Sequence, residues 1–189
     1  TAWHDAIVAP HVEGRDYVAL ASSGELTGRV VGAMWWDRHR GAEQIEEFVE
    51  RRRVTAIGRY APTSVKLMMD GVLENFTGAM LEPYGDGRGG TTANQGLLQI
   101  DPEGLRIWVP ALDALGFQPH FHAIGDRAVR AALDAVAAAR AANGRSDTRP
   151  HIAHIQVIHP DDIPRFRELD VAANAQPLWA GHDDQMDLL

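Results

Sequence analysis

The chain has 189 residues, of which 45% are hydrophobic and 23% charged, and this composition is typical of an ordinary globular protein with one domain. The net charge is −8 and the sequence contains no basic run, so nucleic acid is not expected as a partner. The absence of cysteine excludes disulfides, thiolate metal sites and a cysteine nucleophile, and it favours a cytoplasmic location. No apolar stretch approaches the ~20 residues that a membrane span needs, so no membrane association is expected.

Short apolar runs alternate with segments of helical period along the chain. The first predicted helix covers residues 16–23 and ends at Gly24, because glycine suits the left-handed conformation of a helix C-cap. A buried strand is predicted over 29–36, an amphipathic helix over 42–52 and a second strand over 64–69.

A long segment rich in Gly, Thr and Asn, from 70 to 101, separates this first half from the second. Loops of this length inside a compact domain are usually functional or disordered. The elements predicted after it are a helix over 102–115, a strand over 117–124, a helix from Asp126 to 142 with Asp126 as its N-cap, a strand over 151–158, a short helix over 161–168 and a strand over 171–176.

Five strands separated by helices imply parallel pairing with right-handed crossovers, and therefore an α/β fold. Two architectures fit this order of strands and helices: an open doubly wound sheet and part of a (β/α)8 barrel. The chain is short for eight units, and no Gly-rich phosphate-binding loop follows the first strand. In either fold, ligands bind at the carboxyl ends of the strands.

Five of the nine histidines lie within forty residues, on or beside two consecutive predicted strands: His120, His122, His151, His154 and His159. A spacing of two places His120 and His122 on one face, whereas the spacing of three places His151 and His154 on opposite faces, so only one of that pair is expected to join them. A single histidine is more often a hydrogen-bonded core residue than a ligand. A cluster on adjacent strands favours a metal site, because neutral imidazole is a common zinc ligand.

Lys66 stands in the middle of an apolar strand, where an ammonium group is costly to bury. The spacing favours a side chain that reaches outward or pairs with an acid. The alternative is a desolvated amine of lowered pKa, which can act as a nucleophile or be modified. Carboxylation by CO2 would convert such a lysine into an anionic oxygen ligand for two metals.

Three segments together resemble the YtcJ-like branch of the metal-dependent amidohydrolase superfamily: VKLMMDGVLENFTGAMLEPYGD, FHAIGDRAVRAALDA, and HIAHIQVIHPDDIPRFRELDV followed by AQP. The resemblance extends from about Gly24 onward, and HAIGDRA (residues 122–128) is its most specific part. It implies a (β/α)8 barrel that uses one or two divalent metals, most often zinc, to hydrolyse carbon–nitrogen and related bonds. Residues 1–189 would form a single domain that is a segment of this barrel, about strands 3 to 7.

The resemblance also implies site residues. Lys66 would be the metal ligand of strand 4, often carboxylated in relatives, with His122 and His154 as the ligands of strands 5 and 6. The HxH pair of strand 1 and the catalytic Asp of strand 8 have no counterpart here, so they are expected outside this chain. Ala153 stands where relatives commonly have Glu. His120, Glu74 and Asn75 are the candidates for contact with substrate.

The implied function is a metal-dependent hydrolase that attacks amide-like, non-peptide carbon–nitrogen bonds of a small molecule with a metal-activated water. This activity is expected of a longer parent enzyme, whereas the chain alone is expected to be inactive and to hold little metal. The alternative is a catalytically incomplete fragment or degenerate relative that only binds metal or a partner. Uncovered strand edges favour association, so a homo-oligomer is a candidate assembly.

Overall fold

The computed structural model describes residues 1–9 and 14–176, in which six strands form one parallel sheet in sequential order. The elements are β1 (Ala2–Val8), α1 (Arg15–Ser23), β2 (Arg29–Trp35), α2 (Gln44–Thr55), β3 (Tyr60–Met68), α3 (Pro102–Ala114), β4 (Gln118–Ala123), α4 (Asp126–Asn143), β5 (His151–His154), α5 (Ile163–Glu168) and β6 (Ala172–Asn174). Short 3₁₀ turns cover Leu73–Asn75 and Pro160–Asp162. All five predicted strands are present and parallel, so the predicted α/β fold is confirmed.

The first strand, β1, was not predicted from the sequence. It pairs in parallel with β2, beginning with Ala2 opposite Arg29. Its sequence AWHDAIV places His4 and Asp5 in the middle and leaves Ile7 half exposed, so it lacks the continuous apolar run of a buried strand. The sheet in the described residues therefore has six strands, one more than the five that the sequence indicated.

Two of the differences between predicted and observed elements concern the site. The strand predicted over 151–158 ends at His154, because His154 and Ile155 take left-handed backbone angles, with φ of 79° and 52°. Helix α4 has Gly125 as its N-cap, not Asp126. The Asp126 carboxylate instead accepts a hydrogen bond from the backbone N–H of Leu81 at 2.8 Å, so its partner is the long loop and not its own helix.

Alternation along the strands divides the sheet into two faces. On β3, Val65 and Leu67 belong to the apolar core, and on β4 Phe121 does the same. Helices α3 and α4 pack over this outer face and supply many further core residues, including Leu105, Val109, Leu112, Val129, Leu133 and Val136. None of the described helices is long and apolar enough to cross a membrane.

The inner face carries Lys66, His120 and His122, and the sheet curls around it. His4 on β1 and His120 on β4 are three strands apart, which in a flat sheet would separate them by about 14 Å. Their imidazole nitrogens lie 3.4 Å apart. The strands therefore curve into part of a barrel with the polar side chains inside, and this curvature builds the site.

Candidate metal centre

The inward side chains of three neighbouring strands stand level with one another. Lys66 on β3 pairs with His120 on β4, and His120 pairs with His151 on β5. They open into a cavity of about 210 Å³, lined by His4, Ala6, Lys66, His120, His151, Ala153, His154, Asn174 and Gln176. The cavity brings together a lysine and four imidazoles, which are potential ligands of a divalent transition metal.

Lys66 is buried, with 3% of its surface exposed. Its Nζ lies 3.2 Å from His120 Nε2, and among the described residues no carboxylate lies within 4 Å of it. The expectation that Lys66 reaches outward or pairs with an acid is therefore wrong, because the curled sheet encloses the amine. Burial lowers the pKa of Lys66 to about 8, so the neutral amine is far more populated than in an exposed lysine.

The two histidines predicted as ligands lie side by side. The ring centroids of His122 and His154 are 4.7 Å apart, although the residues come from different strands. His122 Nε2 contacts the carbonyl oxygen of Gly71 at 3.0 Å. Burial lowers the pKa of His122 to about 4 and also lowers the pKa of His154, so both rings are neutral at pH 7.

His151 and His154 both line the cavity, contrary to the expectation from their spacing. The alternation of a strand holds only while the backbone stays extended. At His154 the backbone is left-handed, with φ of 79°, so its side chain returns to the face that His151 already occupies. Left-handed angles at a residue other than glycine are strained, and such strain is concentrated at functional sites.

The hydrogen bonds of His122 and His154 fit a metal-binding role. His122 donates from Nε2 to the Gly71 carbonyl, and His154 Nδ1 contacts the Gln176 side-chain oxygen at 2.6 Å. Each contact with an oxygen requires the proton on that nitrogen, so in the neutral ring the lone pair is on the other nitrogen. Metal-binding histidines are oriented in this way by carbonyl or carboxylate partners.

Sequence reasoning missed a second group of histidines. The ligand nitrogens of His4, His120 and His151 all lie within 4.8 Å of one another. Burial lowers the pKa of all three imidazoles, that of His151 to about 4. Nothing in the local sequence around His4 marks it as a partner of residues more than a hundred positions away. We call these three residues the histidine triad.

The three substrate-side candidates are not all in one place. His120 lines the histidine cavity, whereas Glu74 and Asn75 are exposed on the 3₁₀ turn that follows β3. Asn75 lines a separate cavity of about 630 Å³ together with Phe76, Tyr84, Gly85, Asp86, Gly87, Thr92 and Asn94. The described structure therefore does not bring Glu74 or Asn75 to the histidine cavity, and their contact with substrate stays a prediction.

Asp70, at the end of β3, joins the long loop to the segment that follows β4. Its carboxylate is fully buried and accepts hydrogen bonds from the backbone N–H groups of Ala79, Ile124 and Gly125 at 2.9–3.0 Å. It also lies 3.5 Å from His122 Nε2. Burial raises the pKa of Asp70 to about 6, while the three N–H groups oppose that rise. Asp70 thus holds the backbone around His122 in place.

The HAIGDRA segment is anchored to the same loop along most of its length. The Asp126 carboxylate accepts from the Leu81 amide, and Arg127 donates to the carbonyls of Gln95 and Gly96 at 3.1 Å each. The segment therefore has two roles. It contains His122, and its hydrogen bonds hold the long loop against the carboxyl end of the sheet.

A substitution at Gly125 tests how tightly the long loop packs against the HAIGDRA segment. A Cβ at Gly125 would lie 2.1 Å from the carbonyl oxygen of Ala79, although the Gly125 φ of −83° suits any residue. We expect Gly125→Ala to lower the free energy of unfolding by about 1–3 kcal/mol, because the loop backbone must move. Chemical denaturation measures this. Gly41→Ala is the matched control, since the atom nearest its Cβ would be the end of the flexible Glu43 side chain, at 3.0 Å. Equal losses at both positions would contradict the steric explanation.

The fold and the site together define a class of protein. A parallel sheet with helices, curled into half a barrel with histidines inside it, resembles the partial TIM barrel of metal-dependent hydrolases. The chain superposes with a TM-score of 0.71 and 25% identity on a metal-dependent hydrolase from Pyrococcus furiosus, over 93% of this chain and 34% of that one.

The family follows from the sequence comparison. The model of the amidohydrolase family, Amidohydro_3, matches residues 15–188, and the chain belongs to this family. It is 39% identical over 113 residues to the protein LONG AFTER FAR-RED 3 of Arabidopsis thaliana, covering 60% of this chain and 19% of that protein. It is 29% identical over 120 residues to YtcJ of Bacillus subtilis (strain 168), covering 64% of this chain and 21% of YtcJ.

These matches confirm the resemblance to YtcJ-like amidohydrolases. They also show that the chain spans about a fifth of the length of these two curated relatives.

Proposed function

We propose that this chain is a segment of a metal-dependent hydrolase that cleaves amide-like carbon–nitrogen bonds of small molecules, with Lys66, His122 and His154 as ligands of a divalent metal, most often zinc. The observation that carries the proposal is the position of His122 and His154. Their rings are 4.7 Å apart, and each is oriented through one nitrogen by an oxygen acceptor. Membership of the amidohydrolase family supports the hydrolase class.

A divalent metal held there supplies Lewis acidity, which lowers the pKa of water and polarises the bond to be cleaved. The residues of this chain position that chemistry. The Gly71 carbonyl and Asp70 fix the His122 ring, and the left-handed backbone at His154 turns its imidazole into the cavity. The general base is proposed to be an aspartate outside this chain, in keeping with the family resemblance.

Lys66 is proposed to act in the carboxylated form, as an oxygen ligand. Its enclosure supports this, because the Lys66 amine has no described carboxylate near it and is substantially neutral near pH 8. A neutral amine is the form that adds CO2. In the absence of carboxylation, the ammonium would stand among imidazoles without a counter-charge among the described residues.

A second candidate function is association through the sheet edges. Strands β1 and β6 are the two ends of the strand order among the described residues, and all three residues of β6 are exposed. Exposed strand edges pair readily with other strands. The alternative to catalysis by this chain is therefore binding of a partner that covers these edges. A second copy of this chain is one such partner.

The test is hydrolysis by the longest available form of the protein, assayed on cyclic and linear amides and on matched esters. We expect turnover of amides that a chelator removes and zinc restores. Lys66→Met should lower kcat/KM by more than about 100-fold, because a proposed ligand is lost and even residues that only orient ligands are worth 10- to 100-fold. His39→Ala is the control, since His39 lies on the exposed segment between β2 and α2. Metal-independent turnover, or equal losses for both variants, would refute the proposal.

A further inference from the structure

The histidine triad shares no residue with the set assigned to the proposed catalytic metal, although Lys66 and His154 line the same cavity. His4, His120 and His151 come from β1, β4 and β5, and none of them is Lys66, His122 or His154. The rings contact one another in all three pairs, with centroids 4.1–5.2 Å apart. Three neutral imidazoles with ligand nitrogens this close together are a suitable ligand set for one transition-metal ion.

We propose that His4, His120 and His151 form a second metal site, which binds a divalent transition metal such as zinc through three imidazole nitrogens. This inference does not depend on the proposed hydrolysis. It rests on the separation of the nitrogens, on the environment of the three rings, and on the space beside them.

The spacing of the nitrogens suits zinc. Two nitrogens bound tetrahedrally at 2.0–2.1 Å from zinc lie about 3.4 Å apart. His120 Nδ1 and His4 Nε2 are 3.4 Å apart, which matches that edge of the tetrahedron. All the ligand nitrogens lie within 4.8 Å of one another, so the other separations exceed that edge by at most about 1.4 Å. Three imidazoles suit zinc, copper, iron or nickel, whereas calcium and magnesium prefer oxygen.

The surroundings of the triad suit a bound metal ion with one coordination position left open for water or a small ligand. His120 and His151 are buried, at 4% and 8% exposed, and His4 is partly buried, so the ligands are shielded from water. The cavity of about 210 Å³ that the triad lines leaves room for water or a small ligand. Catalytic zinc sites combine three protein ligands with such an open position.

Lys66, one of the proposed catalytic ligands, lies next to the triad. Its Nζ is 3.2 Å from His120 Nε2, on the side of the ring away from His4. His120 can therefore use Nδ1 for the metal while Nε2 faces Lys66. That arrangement puts the ring proton on Nε2, which then donates to the neutral Lys66 amine.

Zinc binding by the 189-residue chain tests the inference. Zinc stoichiometry and affinity are measured by titration, and substitution with Co²⁺ reports a four-coordinate site through its visible absorption. We expect one zinc per chain. His4→Gln and His151→Gln should each weaken binding by about 100-fold and remove the four-coordinate Co²⁺ spectrum, with the circular dichroism unchanged. Two variants on separate strands are used, so that misfolding of one does not decide the result.

The controls are His39→Ala and His159→Ala, which lie outside the triad and outside the proposed catalytic ligands and should keep the zinc affinity of the unmodified chain. A chain that binds no zinc, or retention of zinc affinity by both triad variants, would overturn the inference and leave the triad as a hydrogen-bonded core cluster. Zinc lost in His122→Ala but kept in His4→Gln would overturn it while supporting the proposed catalytic ligands. Zinc that depends on the triad, in a protein that hydrolyses no amide, would uphold it and refute the proposed function.

Discussion

Replacing His122 with Ala in the longest available form of the hydrolase should lower kcat/KM by well over 100-fold. Loss of residues that only orient metal ligands costs 10- to 100-fold, and His122 is proposed to be a ligand itself. The fold should survive, because the His122 ring lies beside His154 and outside the apolar core cluster. The measurements are steady-state kinetics, metal content and circular dichroism on the same preparation.

The matched control for that substitution is His159→Ala. His159 precedes a 3₁₀ turn, where its Nδ1 accepts a hydrogen bond from the Asp161 amide at 3.2 Å. Its loss should weaken that turn slightly and leave turnover near normal, since capping contributes about 0.5–2 kcal/mol to stability and nothing to the metal. Equal loss of activity at both positions, or an inactive His122→Ala protein that is also unfolded, would remove the basis for treating His122 as a ligand.

The largest loss of stability is expected for Asp70→Ala. This substitution would leave three buried backbone N–H groups, those of Ala79, Ile124 and Gly125, without an acceptor. Each unsatisfied buried donor costs about 1–3 kcal/mol, and relief of carboxylate burial offsets part of the sum. We expect the free energy of unfolding to fall by about 3–5 kcal/mol. Asp70→Asn keeps one acceptor oxygen, so its loss should be smaller.

Asp86→Ala provides the comparison for Asp70. The Asp86 carboxylate also accepts from two backbone N–H groups, those of Arg88 and Gly90, both at 2.8 Å, but it does so on an exposed loop. Water can replace the lost acceptor there, so the change should stay below about 1 kcal/mol. Urea denaturation of both variants measures the difference. Similar losses at the two positions would show that burial of the N–H groups around Asp70 does not matter.

Several features of this protein could be predicted from local sequence alone. The apolar runs at β2, β3 and β4 and the helical period of α2 and α4 are local patterns, and they predicted elements within a few residues of those observed. The spacing of His120 and His122 placed both on one face, and both do face inward. The HAIGDRA segment carried the family resemblance, and the family match now includes it.

Other features depended on contacts between distant residues. The strand β1 exists because its backbone pairs with β2, and its own side chains carry little apolar pattern. The return of His154 to the cavity depends on a left-handed backbone angle that spacing cannot reveal. Asp126 is not the helix cap that the sequence predicted, because its carboxylate accepts a hydrogen bond from the Leu81 amide, 45 residues away.

The histidine triad depends on both local sequence and contacts between distant residues. Each strand determines by its own alternation which side chains face inward, because successive side chains point to opposite faces. Which inward residues meet depends on the curvature of the whole sheet, which brings His4 to within 3.4 Å of His120 across three strand positions. That curvature arises from the accumulated twist of all the strands and the packing of the helices outside them. The sequence by itself therefore determined which side chains face the inside of the sheet. Only the tertiary structure decided which of these inward side chains contact one another.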